Sequence, residues 1–480
     1  MDFETVIGME VHTELSTRSK VFCGCSTAFG APPNSQTCPV CLGLPGVLPV
    51  LNRRAFEFGL KAALALDCTI AERVSLDRKN YYYPDLPKNY QISQKYAQIG
   101  REGHLTLSMK DGTTRHVGIW DIHLEEDAGK LIHPEEPQLK GTTLVDLNRA
   151  GVPLLEIVSA PDMRTLDEMD CYMHTLRSIL RYIDISDCKM QEGSLRFEVN
   201  ISLRPAGSSE FGGRVEIKNL GSMKAAVKAA AYEEKRQRKV LDKGGTVDQE
   251  TRLWDEEAGV TRVMRTKEDA EDYRYFPEPD LVEIHVSEDW LSVLREQLPE
   301  LQDAKRMRFI QQYGLPEYDA AILASDREIA DYFESCCRLH GNPKAFSNWI
   351  MVDILRVLDE QDITISELPV SPEHLVGMVR LLDEDKISSK LAKVIFSEML
   401  STGKHAEAIV QEQGLVQVSD SGEIENLVQQ VIDANPGPAR EFAEGKDKAI
   451  AFLMGQLMKL SKGKANPKMA TEIFAKKLRS

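Results

Sequence analysis

The chain has 480 residues, of which 42% are hydrophobic and 28% are charged, a composition typical of a globular protein and unlike that of a disordered one. We find no apolar run of about 18 residues, which excludes an ordinary transmembrane helix. The formal net charge of −16 argues against nucleic-acid binding over the whole surface, because phosphate groups attract positive charge. No secretory signal is recognised at the start, so we expect a cytoplasmic protein of about three domains that associates with no membrane.

Residues 1–293 form the first predicted domain, because they are rich in segments in which polar and apolar residues alternate. On a β-strand this alternation places the polar side chains on one face. The clearest sets are Glu10, His12 and Glu14, then Asp121, His123 and Glu125, then Arg196, Glu198, Asn200 and Ser202. Several such strands predict an α+β domain around a mainly antiparallel sheet with one polar side.

Four side chains from three predicted strands have the chemistry of metal ligands: Glu10, His12, Glu125 and Glu156. Carboxylates with one imidazole suit Mg²⁺ or Mn²⁺ and leave room for water and phosphate oxygens. Alternation alone leaves a second interpretation open, in which these residues only face solvent.

Four of the nine cysteines lie within 19 residues as two close pairs, Cys23 and Cys25, then Cys38 and Cys41, with twelve residues between the pairs. This spacing is typical of tetrahedral zinc coordination by thiolates. We predict a closed structural zinc site, and the alternative is four free thiols.

Residues 77–94 combine four tyrosines with basic residues, two Asn and two Pro. Such loops bind bases by stacking and phosphates through Lys or Arg, although a well-ordered surface loop with packed tyrosines is equally consistent with the pattern. Further along, Gly193 permits close approach of the backbone, and Arg196 offers a planar fork for phosphate or carboxylate.

The remainder of the chain is predicted to be helical. Residues 294–405 carry helix-capping residues before amphipathic runs and form a predicted all-α domain, and residues 406–480 form a smaller all-α unit. Residues 445–480 contain nine Lys or Arg and two Asp or Glu. A basic end on an acidic chain suggests a phosphate-binding surface, and a solvated helical face is the alternative.

The signatures of common nucleotide, hydrolase and zinc-protease sites were not found, namely the phosphate loop, the dinucleotide-binding glycines, the nucleophile elbow and H-E-x-x-H. The absence of these motifs does not exclude an ATP site of an unusual kind.

Several long segments nevertheless carry a specific resemblance. They are residues 4–15, 77–94, 123–130, 145–158, 192–196, 272–280 and 465–467. In these segments, and over essentially its whole length, the chain resembles the B subunit of the tRNA-dependent amidotransferase (the GatCAB complex, GatB/GatE family).

The resemblance implies an ATP-dependent carbon–nitrogen ligase that uses glutamine as its amide donor. Members of the family correct mischarged Glu-tRNA(Gln) or Asp-tRNA(Asn), together with an A subunit that releases ammonia and a C subunit. The B subunit phosphorylates the side-chain carboxylate of the tRNA-bound amino acid, with ATP and Mg²⁺ or Mn²⁺ as cofactors. The implied fold is a cradle domain, a helical domain and a tail domain similar to the YqeY proteins.

Motif matches then imply roles for individual residues. The implied ligands of the divalent ion are His12, Glu125 and Glu156, with Glu10 as a further ligand or supporting group. The implied catalytic set is these four residues and Arg196. Contacts to ATP or to the aminoacyl end are implied for Lys79, Tyr82, Lys88 and Arg196. The cysteine tetrad resembles the zinc site of some members, and the tail's implied tRNA contacts are Lys446, Lys448, Lys459, Lys462, Lys464 and Lys468.

Two other functions stay open at this point. The chain could be a non-catalytic subunit that binds tRNA and assists assembly. It could instead be a self-contained phosphotransferase that acts on a small carboxylate.

Overall fold

The computed structural model describes residues 2–134, 136–266, 273–414, 421–446, 448–461, 465 and 467–479. The chain divides into two compact units, Met1–Leu301 and Gln302–Ser480. Within the described ranges we find no helix that combines the length and apolar character needed to cross a lipid bilayer.

The first unit contains the β-strands. They are β1 (Phe3–Glu14), β2 (Thr69–Ile70), β3 (Arg73–Val74), β4 (Asp77–Asn80), β5 (Tyr90–Ser93), β6 (Gly100–Ser108), β7 (Thr114–Glu126), β8 (Lys130–Ile132), β9 (Leu144–Asp146), β10 (Pro153–Ser159), β11 (Leu195–Pro205), β12 (Val215–Lys218), β13 (Glu250–Asp255), β14 (Val260–Thr266), β15 (Arg274–Pro277) and β16 (Ile284–His285).

The helices of this unit begin at residues that satisfy free backbone N–H groups. They are α1 (Arg53–Ala65), α2 (Leu166–Tyr182), α3 (Met223–Leu241) and α4 (Glu288–Gln297), with a 3₁₀ turn at Pro137–Leu139. Thr165 and Glu168 form a capping box at the start of α2, and the Ser222 side chain accepts from the Ala225 N–H at the start of α3. Each such cap stabilises a helix end by about 1 kcal/mol.

Nine strands form the main sheet, in the order β14-β13-β12-β11-β1-β10-β7-β6-β2. Neighbouring strands are antiparallel except β12 and β13, which are parallel. Smaller sheets contain β15-β4-β5, β16-β3 and β8-β9. The predicted α+β class, with its mainly antiparallel sheet, is confirmed.

The main sheet has one apolar and one polar face, as the alternating sequence predicts. Ile7, Met9 and Val11 of β1 are buried in the core cluster of this unit. Helix α3 packs on β11 through a face of small residues, including Ala226 and Ala230, which allows helix and sheet to approach closely. The polar side chains of β1 therefore lie on the opposite face.

The second unit is helical, and its described part contains no β-strand. Its helices are α5 (Gln302–Tyr313), α6 (Glu317–Leu323), α7 (Arg327–Leu339), α8 (Pro343–Trp349), α9 (Leu355–Gln361), α10 (Pro372–Asp383), α11 (Ser389–Thr402), α12 (Ala406–Gln413), α13 (Ser421–Ala434), α14 (Pro436–Ala443), α15 (Lys448–Leu460) and α16 (Pro467–Arg479), with a π-helical segment at Ile350–Ile354 and a 3₁₀ turn at Ile365–Glu367. The predicted all-α character is confirmed.

The domain boundaries are less clear than the fold class. The first predicted boundary, after residue 293, falls within α4 (Glu288–Gln297), and the first compact unit continues to Leu301. In the second unit, one core cluster contains Phe309 and Phe333, and another contains Phe474. The division into domains at residues 1–293, 294–405 and 406–480 stays a prediction.

Candidate active site

Three adjacent strands place a row of polar residues across the middle of the main sheet. His12 of β1 lies opposite Glu156 of β10, and Glu156 lies opposite His123 of β7. On the other side of β1, His12 faces Arg196 of β11. Directly opposed residues of antiparallel strands project from the same face, so residues far apart in the sequence meet here.

The atoms of this row are close enough to share one cation. The Nε2 atom of His12 lies 3.4 Å from Oε2 of Glu156. The Nε2 atom of His123 lies 3.1 Å from the same oxygen and 3.6 Å from Oε1 of Glu125. One ligand atom each of His12, Glu125 and Glu156 lie within 4.8 Å of one another. The structure thus brings together three of the residues predicted to hold a metal ion.

Surrounding side chains fix the orientation of these groups. Ser93 Oγ donates to Oε1 of Glu125 at 2.7 Å, and Gln91 Nε2 donates to Oε2 at 3.1 Å. The Nδ1 atom of His123 lies 2.7 Å from Oδ1 of Asp121. Outer partners of this kind hold ligands in the orientation that a metal needs.

The electrostatics of the site favour an ionised carboxylate beside positive charge. Burial alone raises the pKa of Glu156, but the imidazoles of His123 and His12 hold it well below its usual value. Burial lowers the pKa of His12, and the charge of Glu156 more than offsets this effect, so the pKa of His12 is raised. An imidazole must be neutral to bind a metal. A metal ion bound at this site would therefore displace a proton from His12.

The donor set fits a divalent cation. Two carboxylates and an imidazole nitrogen that converge in a largely buried place suit Mn²⁺ or Mg²⁺, with the remaining positions open to water or phosphate oxygens. His123, which the sequence had shown in the alternating pattern of β7 but which was not predicted as a site residue, lies within the same cluster.

Glu10 belongs to a second acidic group on the same face. One ligand atom each of Glu10, Glu198 and Glu216 lie within 4.8 Å of one another. Lys218 Nζ lies 2.5 Å from Oε2 of Glu198 and 3.4 Å from Oε1 of Glu216, and Asn200 Nδ2 donates to Oε1 of Glu10 at 3.0 Å. The sequence interpretation missed Glu216 and Lys218, although the alternation Val-Glu-Ile-Lys in β12 was a signal for both.

Lys79 and Tyr82, two of the predicted nucleotide contacts, occupy different environments. Burial lowers the pKa of Lys79, but the negative charges of Glu125 and Glu156 outweigh this effect and raise it. Lys79 is therefore a cation beside the carboxylates of the site. Tyr82 follows β4 and its side chain is 83% exposed, so it lies on the surface.

Lys88 and Arg196 are both engaged with buried carboxylates. Lys88 Nζ lies 2.7 Å from Oε2 of Glu126, and Arg196 Nη1 donates to Oδ2 of Asp127 at 2.8 Å. Glu14 lies beside Arg196 and Asp127. Burial and the negative charge of Asp127 raise the pKa of Glu14 to about 8. A single bond occupies one of the five guanidinium donors, so Arg196 keeps others for a ligand.

The four cysteines of the predicted zinc site converge as well. The four Sγ atoms lie within 4.8 Å of one another, those of Cys23, Cys25, Cys38 and Cys41. A hydrogen bond from Cys23 lowers the pKa of Cys41 to about 4, a shift that favours the thiolate form. Four convergent sulfur atoms are the donor set of a structural zinc site.

The predicted tRNA contacts lie in the second unit. Lys446, Lys448 and Lys459 are exposed. Lys462 and Lys464 lie outside the described residues, and Lys468 lies in α16, where its side chain is not described.

Two family models match the chain. The model described as the GatB/GatE catalytic domain matches residues 5–292, a range that contains every residue of the metal and cysteine clusters. The chain belongs to the GatB family. A second model, described as a GatB domain, matches residues 331–478. The resemblance inferred from the sequence is confirmed.

Two relatives of this GatB chain are each named as the B subunit of an aspartyl/glutamyl-tRNA(Asn/Gln) amidotransferase. The protein from Caldanaerobacter subterraneus subsp. tengcongensis is 53% identical over 480 residues, which cover 100% of both chains. The protein from Carboxydothermus hydrogenoformans is 52% identical over 477 residues, which cover 99% of both chains. The similarity thus extends over the full length of each protein.

Proposed function

We propose that this GatB chain is the subunit of a tRNA-dependent amidotransferase that activates the amino acid esterified to mischarged Glu-tRNA(Gln) or Asp-tRNA(Asn). The observation that carries this proposal is the cluster of His12, Glu125 and Glu156, whose ligand atoms lie within 4.8 Å of one another in the part matched by the catalytic-domain model. The enzyme is a carbon–nitrogen ligase that consumes ATP.

The reaction has two covalent steps. A side-chain carboxylate oxygen of the esterified amino acid attacks the γ-phosphorus of ATP, and ADP leaves. Ammonia then attacks the carbonyl carbon of the acyl phosphate, inorganic phosphate leaves, and a proton lost from nitrogen passes to a base. Activation is needed because a carboxylate is a poor electrophile at neutral pH. In-line phosphoryl transfer depends mainly on positioning and on neutralisation of charge.

The residues of the site supply both requirements. His12, Glu125 and Glu156 would hold Mg²⁺ or Mn²⁺, which when bound neutralises charge on the phosphate oxygens. Lys79 adds a positive charge beside these carboxylates. Its Nζ atom lies 5.1 Å from the centre of the Tyr273 ring, within the range of a cation–π contact. We assign a free donor of Arg196 to the phosphate or the substrate carboxylate.

We assign the remaining parts of the reaction to partners. An A subunit releases ammonia from glutamine, and a C subunit completes the complex. The basic end of the chain grips the phosphates of tRNA, because residues 445–480 have an excess of seven positive charges, from nine Lys or Arg against two Asp or Glu.

Removal of the tail charges should change the salt dependence of tRNA binding. We expect the triple variant Lys446→Ala, Lys448→Ala, Lys459→Ala to lower the slope of log K against log salt by roughly one unit for each phosphate group that is no longer bound. The measurement is a titration of tRNA binding at several salt concentrations. The control is the triple variant of Lys110, Lys140 and Lys243, exposed residues of the first unit. An unchanged slope in the tail variant would show that these lysines do not bind the phosphates of tRNA.

The cysteine cluster should bind zinc. We expect about one equivalent of zinc per purified chain, because four convergent sulfur atoms form a complete tetrahedral site. The variant Cys38→Ala should lose the metal, whereas Cys337→Ala, a change in the second unit, should keep it. Elemental analysis of both proteins and of the wild type measures this. Less than about half an equivalent in the wild type would count against a zinc site.

The proposed activity is tested by phosphate release from ATP in the assembled complex. We expect release that depends on mischarged tRNA and is lost in His12→Ala and Glu125→Ala. Unchanged release in both variants would assign the chemistry to another subunit and leave this chain a tRNA-binding role. Equal turnover with a free amino acid and without partners would instead indicate a self-contained phosphotransferase.

A further inference from the structure

The three-stranded sheet β15-β4-β5 turns one face toward the metal cluster. Tyr275 of β15 lies opposite Lys79 of β4, and Lys79 lies opposite Gln91 of β5. Directly opposed residues of antiparallel strands project from the same face, so these three side chains form a row across the small sheet. We call this row the facing row.

The facing row points at the carboxylates of the main sheet. At one end of the row, Gln91 Nε2 donates to Oε2 of Glu125 at 3.1 Å, which fixes the direction of the row. At the other end, the charges of Glu125, His123 and Glu156 act on the phenol of Tyr275. The site therefore has two walls, the main sheet that carries the possible metal ligands and the facing row across from it.

Two tyrosine hydroxyls near the facing row are used in different ways. The hydroxyl of Tyr81 donates to Oε1 of Gln91 at 3.3 Å, so it supports the facing row from behind. Within the ranges that the structure describes, the hydroxyl of Tyr275 makes no hydrogen bond to another residue. Lys95 Nζ lies 5.7 Å from the centre of the Tyr275 ring, a contact that does not involve the hydroxyl. Tyr275 therefore offers a hydrogen-bond donor to a ligand in the site.

The Tyr275 hydroxyl keeps its proton at neutral pH. An ordinary tyrosine has a pKa of about 10, and burial raises the pKa of Tyr275 above that value. The positive charge of Lys79 acts in the opposite direction and does not cancel the effect of burial. Tyr275 is therefore a neutral donor and is not a base at the pH of the cell.

We propose that Tyr275 donates a hydrogen bond to the reacting carboxyl group of the esterified amino acid and stabilises the oxyanion that forms when ammonia attacks. This inference rests on the proposed function and adds a residue that acts in its second step. The attack forms a C–N bond and moves an electron pair of the C=O bond onto oxygen. Inorganic phosphate then leaves, the nitrogen loses a proton to a base, and Tyr275 keeps its own proton throughout. A donor aimed at such an oxyanion lowers the barrier because charge develops there in the transition state.

The position of Tyr275 assigns it to the second step and not to phosphoryl transfer. The side chains that would hold a cation for the phosphates project from the main sheet, whereas Tyr275 projects from the small sheet across from them. A carboxyl group that is bonded to phosphorus through one oxygen keeps its second oxygen free. That second oxygen carries the charge during the attack of ammonia, and a donor on the wall across from the cluster is suited to it.

The test compares the two steps of the reaction in Tyr275→Phe, a change that removes the hydroxyl and keeps the ring. The assembled complex is mixed with ATP, glutamine and Glu-tRNA(Gln), and the formation of ADP and of the amide is followed over a single turnover. We expect the rate of amide formation to fall by about 10²-fold and the rate of ADP formation to stay at the wild-type value. A normal rate of ADP formation also shows that the variant is folded.

Two controls isolate the hydroxyl of Tyr275. Tyr96→Phe removes the hydroxyl of a tyrosine of the same unit that is 60% exposed, and it should form ADP and amide at the wild-type rates. Ammonium chloride in place of glutamine supplies ammonia without the A subunit. The defect of Tyr275→Phe should persist with ammonium chloride, because it lies in the attack on the acyl phosphate.

The outcomes separate this inference from the proposed function. Amide formation at the wild-type rate in Tyr275→Phe would overturn the inference and leave the proposed function standing. An equal loss of ADP and amide formation would also overturn it, because the hydroxyl would then serve the first step or the fold. A wild-type complex that forms no ADP with mischarged tRNA would reject the proposed function, and the inference with it.

Discussion

Glu156→Gln is expected to lower the tRNA-dependent release of phosphate from ATP by about 10³-fold or more. Glu156 contacts both His12 and His123, and the change removes the negative charge that would hold a cation beside them. The fold and the shape of the side chain are retained, because glutamine is nearly isosteric with glutamate. Phosphate release measured with saturating ATP and mischarged tRNA gives the result.

The control for this change is Glu57→Gln. Glu57 is also a partly buried glutamate with charged partners, Arg53 and Arg54, but it lies in α1 and outside the metal cluster. We expect this variant to retain the activity of the wild type. A Glu156→Gln enzyme within about tenfold of the wild type would exclude Glu156 from holding the ion that supports catalysis.

Lys88→Met is expected to destabilise the first unit by about 3–5 kcal/mol, because it leaves the carboxylate of Glu126 buried without its cation. The side chains of Lys88 and Glu126 are 9% and 1% exposed, and Glu126 also accepts a hydrogen bond from the Ile92 N–H. Thermal or denaturant unfolding measures the loss. The double variant Lys88→Met, Glu126→Gln should recover part of it, because the uncompensated charge is gone.

This experiment also decides between two roles for Lys88. Its motif resembles a nucleotide contact, whereas its ion pair makes it a structural cation. The charge of Lys88 is already paired with that of Glu126. We therefore expect the ATP affinity of the double variant to stay within a few-fold of the wild type. The control is Lys110→Met, at an exposed position, which should change neither stability nor affinity. A large loss of ATP affinity in a stable double variant would restore the nucleotide role.

The sheet and much of the metal cluster could be predicted because strand periodicity is a local property of the sequence. Alternation placed His12 and Glu125 on the polar faces of their strands, and the structure has them on the same face of one sheet. The register between strands is not local. That His12 lies opposite Glu156, and Glu156 opposite His123, depends on how three strands pair, and this is why His123 was not predicted as a site residue.

Ion pairs between residues of different secondary-structure elements could not be predicted from the sequence pattern. The pairing of Lys88 with Glu126 and of Arg196 with Asp127 joins a loop and a strand to the end of β7, and nothing in the local pattern of any of these segments records it. Glu216 comes from β12, whose four residues alternate, but this alternation does not record that Glu216 lies beside Glu10 and Glu198.

The most direct test of the metal assignment is a crystal structure of the complex with Mn²⁺ and a non-hydrolysable ATP analogue. We expect an anomalous scattering peak among His12, Glu125 and Glu156, with oxygens of the γ-phosphate in the remaining coordination positions. A nucleotide bound with its phosphates away from these three side chains, and no anomalous peak between them, would contradict it.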